Sequence, residues 1–432
     1  MHRPTEVNEA HEPFTAIDTA WLRMDEPTNP MMITAVLLLE GAVAASEVER
    51  LVREKLLPHA RFSLRVHDSV VPGVPPRWER DPHFDVRNHV HRVGLPAPRD
   101  RSALETLVGD LASQRLDRAR PLWQLHVVDG IELEGREATA LVVRLHHCIG
   151  DGIALVGLLL SMTDEGLAFR PPAPGHLRRA EGALDLAKEA ARQTATLGRL
   201  LLLPSDPATP YKGALGLVKR LAWSEPISLE RVRAIAARID GKINDVLMAA
   251  IAGAMRRDLR TRGWDGERDI RALVPVHIPG GRAGDGLGNH IGLVFVDMPI
   301  SIADRDARLR ETQARMDRVK EQPDATVALA VLAAMGVASS EIEHIGVSLF
   351  ATKATALVTN VPGPTGEVHL AGHRVSGLLV WAPVSGGIGL GFSLLSYAGE
   401  VRLGVSSDAL RVEDPAALVH AFVDELDALS TR

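Results

Sequence analysis

At 432 residues the chain exceeds the length of a typical single core, so two domains are the natural expectation. With 46% hydrophobic and 24% charged residues it stands well outside the disordered class. A net charge of -6 with no dominant Lys/Arg cluster excludes a nucleic-acid binder and points to small-molecule or lipid partners.

The single cysteine, Cys148, has no partner for an internal disulfide, and the opening MHRPTEVNEAHEPF lacks the basic-then-apolar pattern of a secretory signal. Both features predict a cytoplasmic protein. The first element, MMITAVLLLEG (31–41), is an apolar run ended by glycine and reads as a buried strand. ASEVERLVREKLLP then predicts a helix opened by a Ser46/Glu49 capping box and stopped by Pro58; SALETLVGDLASQRL repeats the plan with Ser102 and Glu105. LWQLHVVDG (122–130) and ATALVVRLH (138–146) predict an antiparallel strand pair joined by the polar IELEGRE. The second run ends at the histidines of HHCIGDG. Beyond them IALVGLLLSMTD is apolar nearly all round, as a helix buried between layers must be.

Composition then shifts through PPAPG (171–175), GRLLLLP and SDPATP (205–210), which marks an interdomain connection. The expected division is an N-terminal domain over 1–175 carrying the histidine motif, a linker over 176–215 and a C-terminal domain over 216–432. The second half resumes with a strand around Ala222 and Trp223, a helix from Ser228 and a longer helix from Asn244. Strand-like runs follow around 290–298, 355–360, 390–397 and 400–406. ATVALAVLAAMGVA (325–338) is shorter than the roughly 20 residues that cross a bilayer, and reads as a buried core helix. Strands and helices alternate in both halves, which predicts a layered α/β or α+β architecture.

Adjacent histidines at a strand end point to opposite faces, so one of them alone can reach a given substrate. Histidine accepts and returns a proton near neutral pH, and His147 is the one nearer the turn. Asp151 is placed to hold the turn, by accepting backbone N–H bonds or by pairing with an arginine. Gly152 permits a tight backbone or the close approach of another segment. An isolated histidine pair is more often a buried pair beside an Asp-Gly turn; the complete HHxxxDG at a strand end shifts the balance toward chemistry. Cys148 offers a rival thiolate mechanism, against which stands the divergence of neighbouring side chains on extended backbone. HExxH, G-x-S-x-G and P-loop patterns are absent, so neither a required metal nor serine-hydrolase chemistry is expected.

HHCIGDG resembles the HHxxxDG motif of the bacterial wax ester synthase/acyl-CoA:diacylglycerol acyltransferase family, within the superfamily of CoA-dependent acyltransferases and condensation domains. IDTAWLRMDEPTNPM, PLWQLHVVDG (121–130), INDVLMAAIAGAMRR (243–257), LGNHIGLVFVDMP (287–299), TNVPGP (359–364) and the C-terminal stretch from Leu379 are similar to the same family in the same order. The resemblance implies an α/β (α+β) fold of two chloramphenicol-acetyltransferase-like sandwich domains forming a central substrate channel. It implies His147 as general base, with His146, Asp151 and Gly152 at the other motif positions. The family's Asn-Asp pair falls on Asn244 and Asp245, for which an N-cap and a first-turn acid are an equally good reading. Pro121, Leu122 and Trp123 match the PLW element, as core residues or as channel lining; Asn360, in the matched TNVPGP, and Cys148, which stands where alanine is common, are further candidates for the channel lining.

The implied reaction joins an acyl group from acyl-CoA to a long-chain alcohol or diacylglycerol, giving wax ester or triacylglycerol plus CoA, without cofactor or metal. Lipid substrates imply contact with the inner membrane or a lipid droplet, with GRLLLLP near Arg192 and Arg199 as the candidate contact or, equally, as domain-interface packing. The alternatives are a condensation-type acyltransferase with another acceptor and a non-catalytic lipid-droplet-associated lipid binder.

Overall fold

The computed structural model describes residues 12–431 apart from 70, 72–73, 134, 168–197, 201, 278–288, 290, 321–323 and 385. PPAPG, Arg192 and most of the expected linker therefore lie outside the described residues. The first half supplies β1 (Glu12–Pro13), β2 (Met32–Glu40), β3 (Leu64–His67), β4 (Arg77–Arg80), β5 (Val90–Gly94), β6 (Trp123–Leu133) and β7 (Arg136–His146). The second supplies β8 (Lys219–Trp223), β9 (Ile227–Ser228), β10 (Ile270–His277), β11 (Ile291–Met298) and β12 (Ala356–Pro362). It ends with β13 (His369–Leu370), β14 (His373–Trp381), β15 (Leu390–Tyr397) and β16 (Glu400–Asp408).

Among the described residues three sheets form, giving a mixed α+β architecture. A small one runs β1-β4-β3, a second β13-β14-β2-β7-β6-β5, and a third β11-β10-β12-β15-β16-β8 with β9 beside β16. In β2 every residue from Met32 to Leu39 is buried, the signature of a central strand covered on both faces. It lies antiparallel between β7 and β14, with Met32 opposite His146. β14 comes from the second half, so one sheet is built from both ends of the chain. Its run Gly377–Trp381 is apolar and buried, and the bulge at Val375/Gly377 lets it follow β2.

β6 and β7 pair antiparallel as the sequence predicts, but they run further than the polar IELEGRE suggests: Ile131–Leu133 pairs with Arg136–Ala138. A bulge between Val128 and Ile131, with Gly130 at φ +66°, absorbs the Asp-Gly step and lets pairing resume. The predicted capping boxes do not form. The helix Ala45–Leu51 starts from Ala44 without a side-chain cap, and Arg101–Ala112 is capped by Asp100, which accepts from the Ala103 amide at 3.0 Å. An acceptor just ahead of Ser102 thus took the N-cap position, and Glu105 instead accepts from Arg101 and from the Trp223 amide.

The helix Asp324–Val337 is half-buried and does not lie in the core as its composition suggests. It rests on β11 and on the helix Ala16–Arg23, while Val337 at its end is 77% exposed. Its partner Ser340–Ala351 carries Ile342 and Ile345 on its open face, 61% and 69% exposed.

Candidate active site

β7 ends at His146 and the helix Gly152–Met162 begins five residues beyond His147, so the histidine motif forms the turn between them. Asp151 is the N-cap: its Oδ1 accepts the Ala154 amide at 2.8 Å, and its carbonyl accepts the Leu155 amide. Gly152 adopts no left-handed backbone, and a Cβ there would meet no atom within 4 Å. The expected tight backbone is therefore not what this glycine provides; it leaves open space at the mouth of the helix.

The two histidines have different surroundings. His146 Nδ1 accepts the Cys148 amide at 3.1 Å. A backbone N–H can only donate, so the ring proton sits on Nε2, which lies 3.9 Å from Asp25 Oδ2. Burial holds the His146 pKa well below its ordinary value, and Arg118, His147 and Arg115 push the same way. Its lone pair is committed to the turn.

His147 is held by its peptide and by one face of its ring. Its N–H donates to the Met31 carbonyl at 2.8 Å, and its carbonyl accepts from Asn289 Nδ2 at 2.9 Å. The indole of Trp21 stacks on the imidazole, ring centroids 3.9 Å apart and planes 20° from parallel. Burial lowers the pKa to about 4, while the Asp151 carboxylate, the residue's own carbonyl and Asn289 pull upward without cancelling it. At neutral pH the ring is an uncharged base. Cys148 is enclosed in the core, where burial raises its pKa well above the ordinary thiol range and keeps it protonated. A thiolate nucleophile has no support at this position.

The PLW element is internal. Leu122 and Trp123 are fully buried, the Leu122 carbonyl accepts the His146 amide at 3.0 Å, and Trp123 Nε1 donates to the Phe62 carbonyl. Pro121 beside them is buried too. Asn244 and Asn360 meet, with Asn360 Nδ2 donating to Asn244 Oδ1 at 2.8 Å. Asn244 is not the N-cap its type suggested: the helix Ile243–Thr261 is capped at Lys242, whose amide donates to Asp245 Oδ2 at 2.8 Å. The acid of the pair closes the helix from its third position.

Behind the Trp21 indole lies an apolar cavity of about 70 Å³. Trp21, Leu273, Phe295, Val331, Met335 and Val347 line it, so the indole that covers His147 also forms part of the cavity wall. Sequence reasoning assigned no role to Asp18, Trp21 or Asn289, although both segments that contain them carried the resemblance. The available signal was Asp18 itself, a lone acid inside the apolar helix Ala16–Arg23.

A neutral buried imidazole at a strand-to-helix turn, stacked on an indole that also walls an apolar cavity, is an arrangement that can serve proton transfer. Residues 14–200 match the model of the wax ester synthase/diacylglycerol acyltransferase catalytic domain, and 287–430 that of the WS/DGAT C-terminal domain. A putative diacylglycerol O-acyltransferase of Mycobacterium tuberculosis is 27% identical, over 97% of this chain and 90% of its own length. The wax ester synthase/diacylglycerol acyltransferase of Marinobacter aquaeolei VT8 shares the fold with a TM-score of 0.73 at 21% identity, covering 97% of this chain and 99% of that one. The trichothecene 15-O-acetyltransferase of Fusarium sporotrichioides shares it with a TM-score of 0.65 at 12% identity, covering 98% and 94%. The chain belongs to the wax ester synthase/diacylglycerol acyltransferase family and is an O-acyltransferase.

Proposed function

We propose that the protein transfers an acyl group from acyl-CoA to the hydroxyl of a long-chain alcohol or diacylglycerol, with His147 as general base. The observation that carries this reading is the uncharged His147 ring stacked on Trp21, which in turn walls an apolar cavity of about 70 Å³. His147 removes the hydroxyl proton as the oxygen attacks the thioester carbonyl. When the tetrahedral intermediate collapses, the C–S bond breaks and the departing thiolate takes that proton, leaving ester and free CoA. Asp151 keeps the turn and the helix behind it in register, and His146 holds the turn from inside. Residues 1–175 act in this scheme as the motif-bearing half, 216–432 as its partner, and 176–215 as the connection.

An apolar acceptor has to be drawn from a lipid surface, and the protein works in the cytoplasm at the inner membrane or a lipid droplet. No helix among the described residues is long and apolar enough to cross a membrane. The exposed Val337, Ile342, Ile345 and Leu349 support peripheral contact, because the same two helices line the cavity on their inner side. In GRLLLLP, Leu200 is buried, Leu203 half-buried and Leu202 85% exposed. The test is to incubate purified protein with palmitoyl-CoA and either hexadecanol or diacylglycerol, measure CoA and ester, and run His147→Ala in parallel. Ester formed by wild type and lost in the variant supports the assignment; folded wild type that forms neither ester overturns it.

A further inference from the structure

Asn289 stands just before β11, 142 positions from His147 in sequence, yet its amide is buried against the motif. Nδ2 donates to the His147 carbonyl and to Asp18 Oδ1, each at 2.9 Å. The His147 carbonyl can only accept, as does the Asp18 carboxylate, so the amide nitrogen faces them and both its hydrogens are used, and the bond from Asn289 holds Asp18 ionised against the burial that raises its pKa. Asp18 Oδ2 in turn lies 3.4 Å from an Arg61 nitrogen, and Arg61 donates to the Ile149 carbonyl at 3.0 Å. One carboxylate on the helix Ala16–Arg23 thereby ties both sides of the HHxxxDG turn, reaching His147 through Asn289 and Ile149 through Arg61.

We infer that Asn289 and Asp18 are positioning residues for His147, a clamp by which the second half of the chain holds the peptide of the base. This rests on His147 being the base. With its N–H on Met31, its carbonyl on Asn289 and one ring face on Trp21, the imidazole keeps little freedom beyond small rotations. Burying a carboxylate and an amide in an apolar core is costly unless each is bonded, and apolar residues of similar shape would pack there at no loss of stability. Polar groups at this point fix direction, which packing alone does not. A misplacement of about 1 Å at a reacting group costs on the order of 100-fold in rate.

The test compares wild type, Asn289→Ala, the near-isosteric Asn289→Asp and Asp18→Asn, with kcat and KM for both substrates, thermal unfolding, and a histidine-selective NMR titration assigned with His147→Gln. For Asn289→Ala, kcat falls on the order of 100-fold with KM within about two-fold, and the His147 titration moves down from about 4, because the Asn289 hydrogen bond that raises it is gone. Asn289→Asp places an ionised carboxylate against Asp18 and a carbonyl, and regains one donor only when protonated. Its turnover therefore rises as pH falls from about 8 to 5.5, a range in which the wild-type base stays neutral. A merely structural role moves unfolding temperature without that pH signature. An Asn289→Ala protein with wild-type kcat per folded molecule and an unmoved His147 titration overturns the clamp. Where wild type turns over neither acceptor, the transfer reading fails, and the titration alone still decides whether Asn289 holds the ring.

Discussion

The acid limb of the rate profile is the sharpest test of how the fold tunes its base. An unperturbed histidine titrates near 6.5, so the fraction carrying a free lone pair would fall from about 0.76 at pH 7 to about 0.03 at pH 5. With the pKa of His147 lowered to about 4 by burial, the neutral fraction stays near 1 at pH 7 and about 0.9 at pH 5. Wild-type kcat/KM at pH 5 is accordingly about 0.9 of its pH 7 value, against about 0.04 for an ordinary histidine. The assay quantifies ester by chromatography from palmitoyl-CoA and hexadecanol between about pH 4.5 and 8, with His147→Ala as the background. A half-maximal point near 6.5 would refute the claim that enclosure beside Trp21 sets the base. The same shift acts on stability. Below about 6.5 the unfolded chain binds a proton that the folded chain refuses until about 4, so stability present above 6.5 is lost as pH falls through that window. His147 alone accounts for about 3 kcal/mol of that loss, the difference between the two values at 1.36 kcal/mol per pH unit. Urea unfolding at pH 7 and pH 5 captures about 2 kcal/mol of it, together with the losses from His146, His126, His89 and His91, which burial shifts in the same direction.

Val331→Trp fills part of the apolar cavity and displaces about three methylenes of a bound chain. At about 0.8 kcal/mol each this lowers kcat/KM for the longest substrates by roughly 60-fold while sparing short ones, measured across a chain-length series. Cys148→Ala keeps turnover within about three-fold, and native protein resists iodoacetamide at neutral pH, because the buried thiol is protonated and is not the nucleophile. Inactivation by the alanine substitution with the fold retained, judged by circular dichroism, would restore the thiolate mechanism.

Local signals carried a good part of the architecture. The apolar run of β2, the antiparallel pair β6 and β7, the helix after the motif and the strands β11, β12, β15 and β16 were all legible, because period and apolar continuity are properties of short windows. β10 and β14 were not. β10 carries Pro275 within its paired register, and β14 is interrupted by Gly377 at its bulge, so each departs from a clean strand pattern. The caps failed for a related reason. Several residues near each helix start can serve: Asp100 took the N-cap that Ser102 also suited by type, and the helix Ile243–Thr261 starts at Lys242, with Asp245 bonding back from its third position, rather than at Asn244.

The sequence by itself determined that a histidine pair stands at a strand-to-helix turn with an aspartate four residues after the second histidine. Tertiary structure decided which ring is available. His146 spends its lone pair on the Cys148 amide, whereas His147 meets an indole from a helix more than a hundred residues earlier and the Asn289 amide from 142 positions later. It also decided that β14 returns to the first-half sheet and that half-buried helices wall an apolar cavity. Those outcomes depend on contacts between segments far apart in the chain, where the burial of one residue is set by side chains that no local window contains.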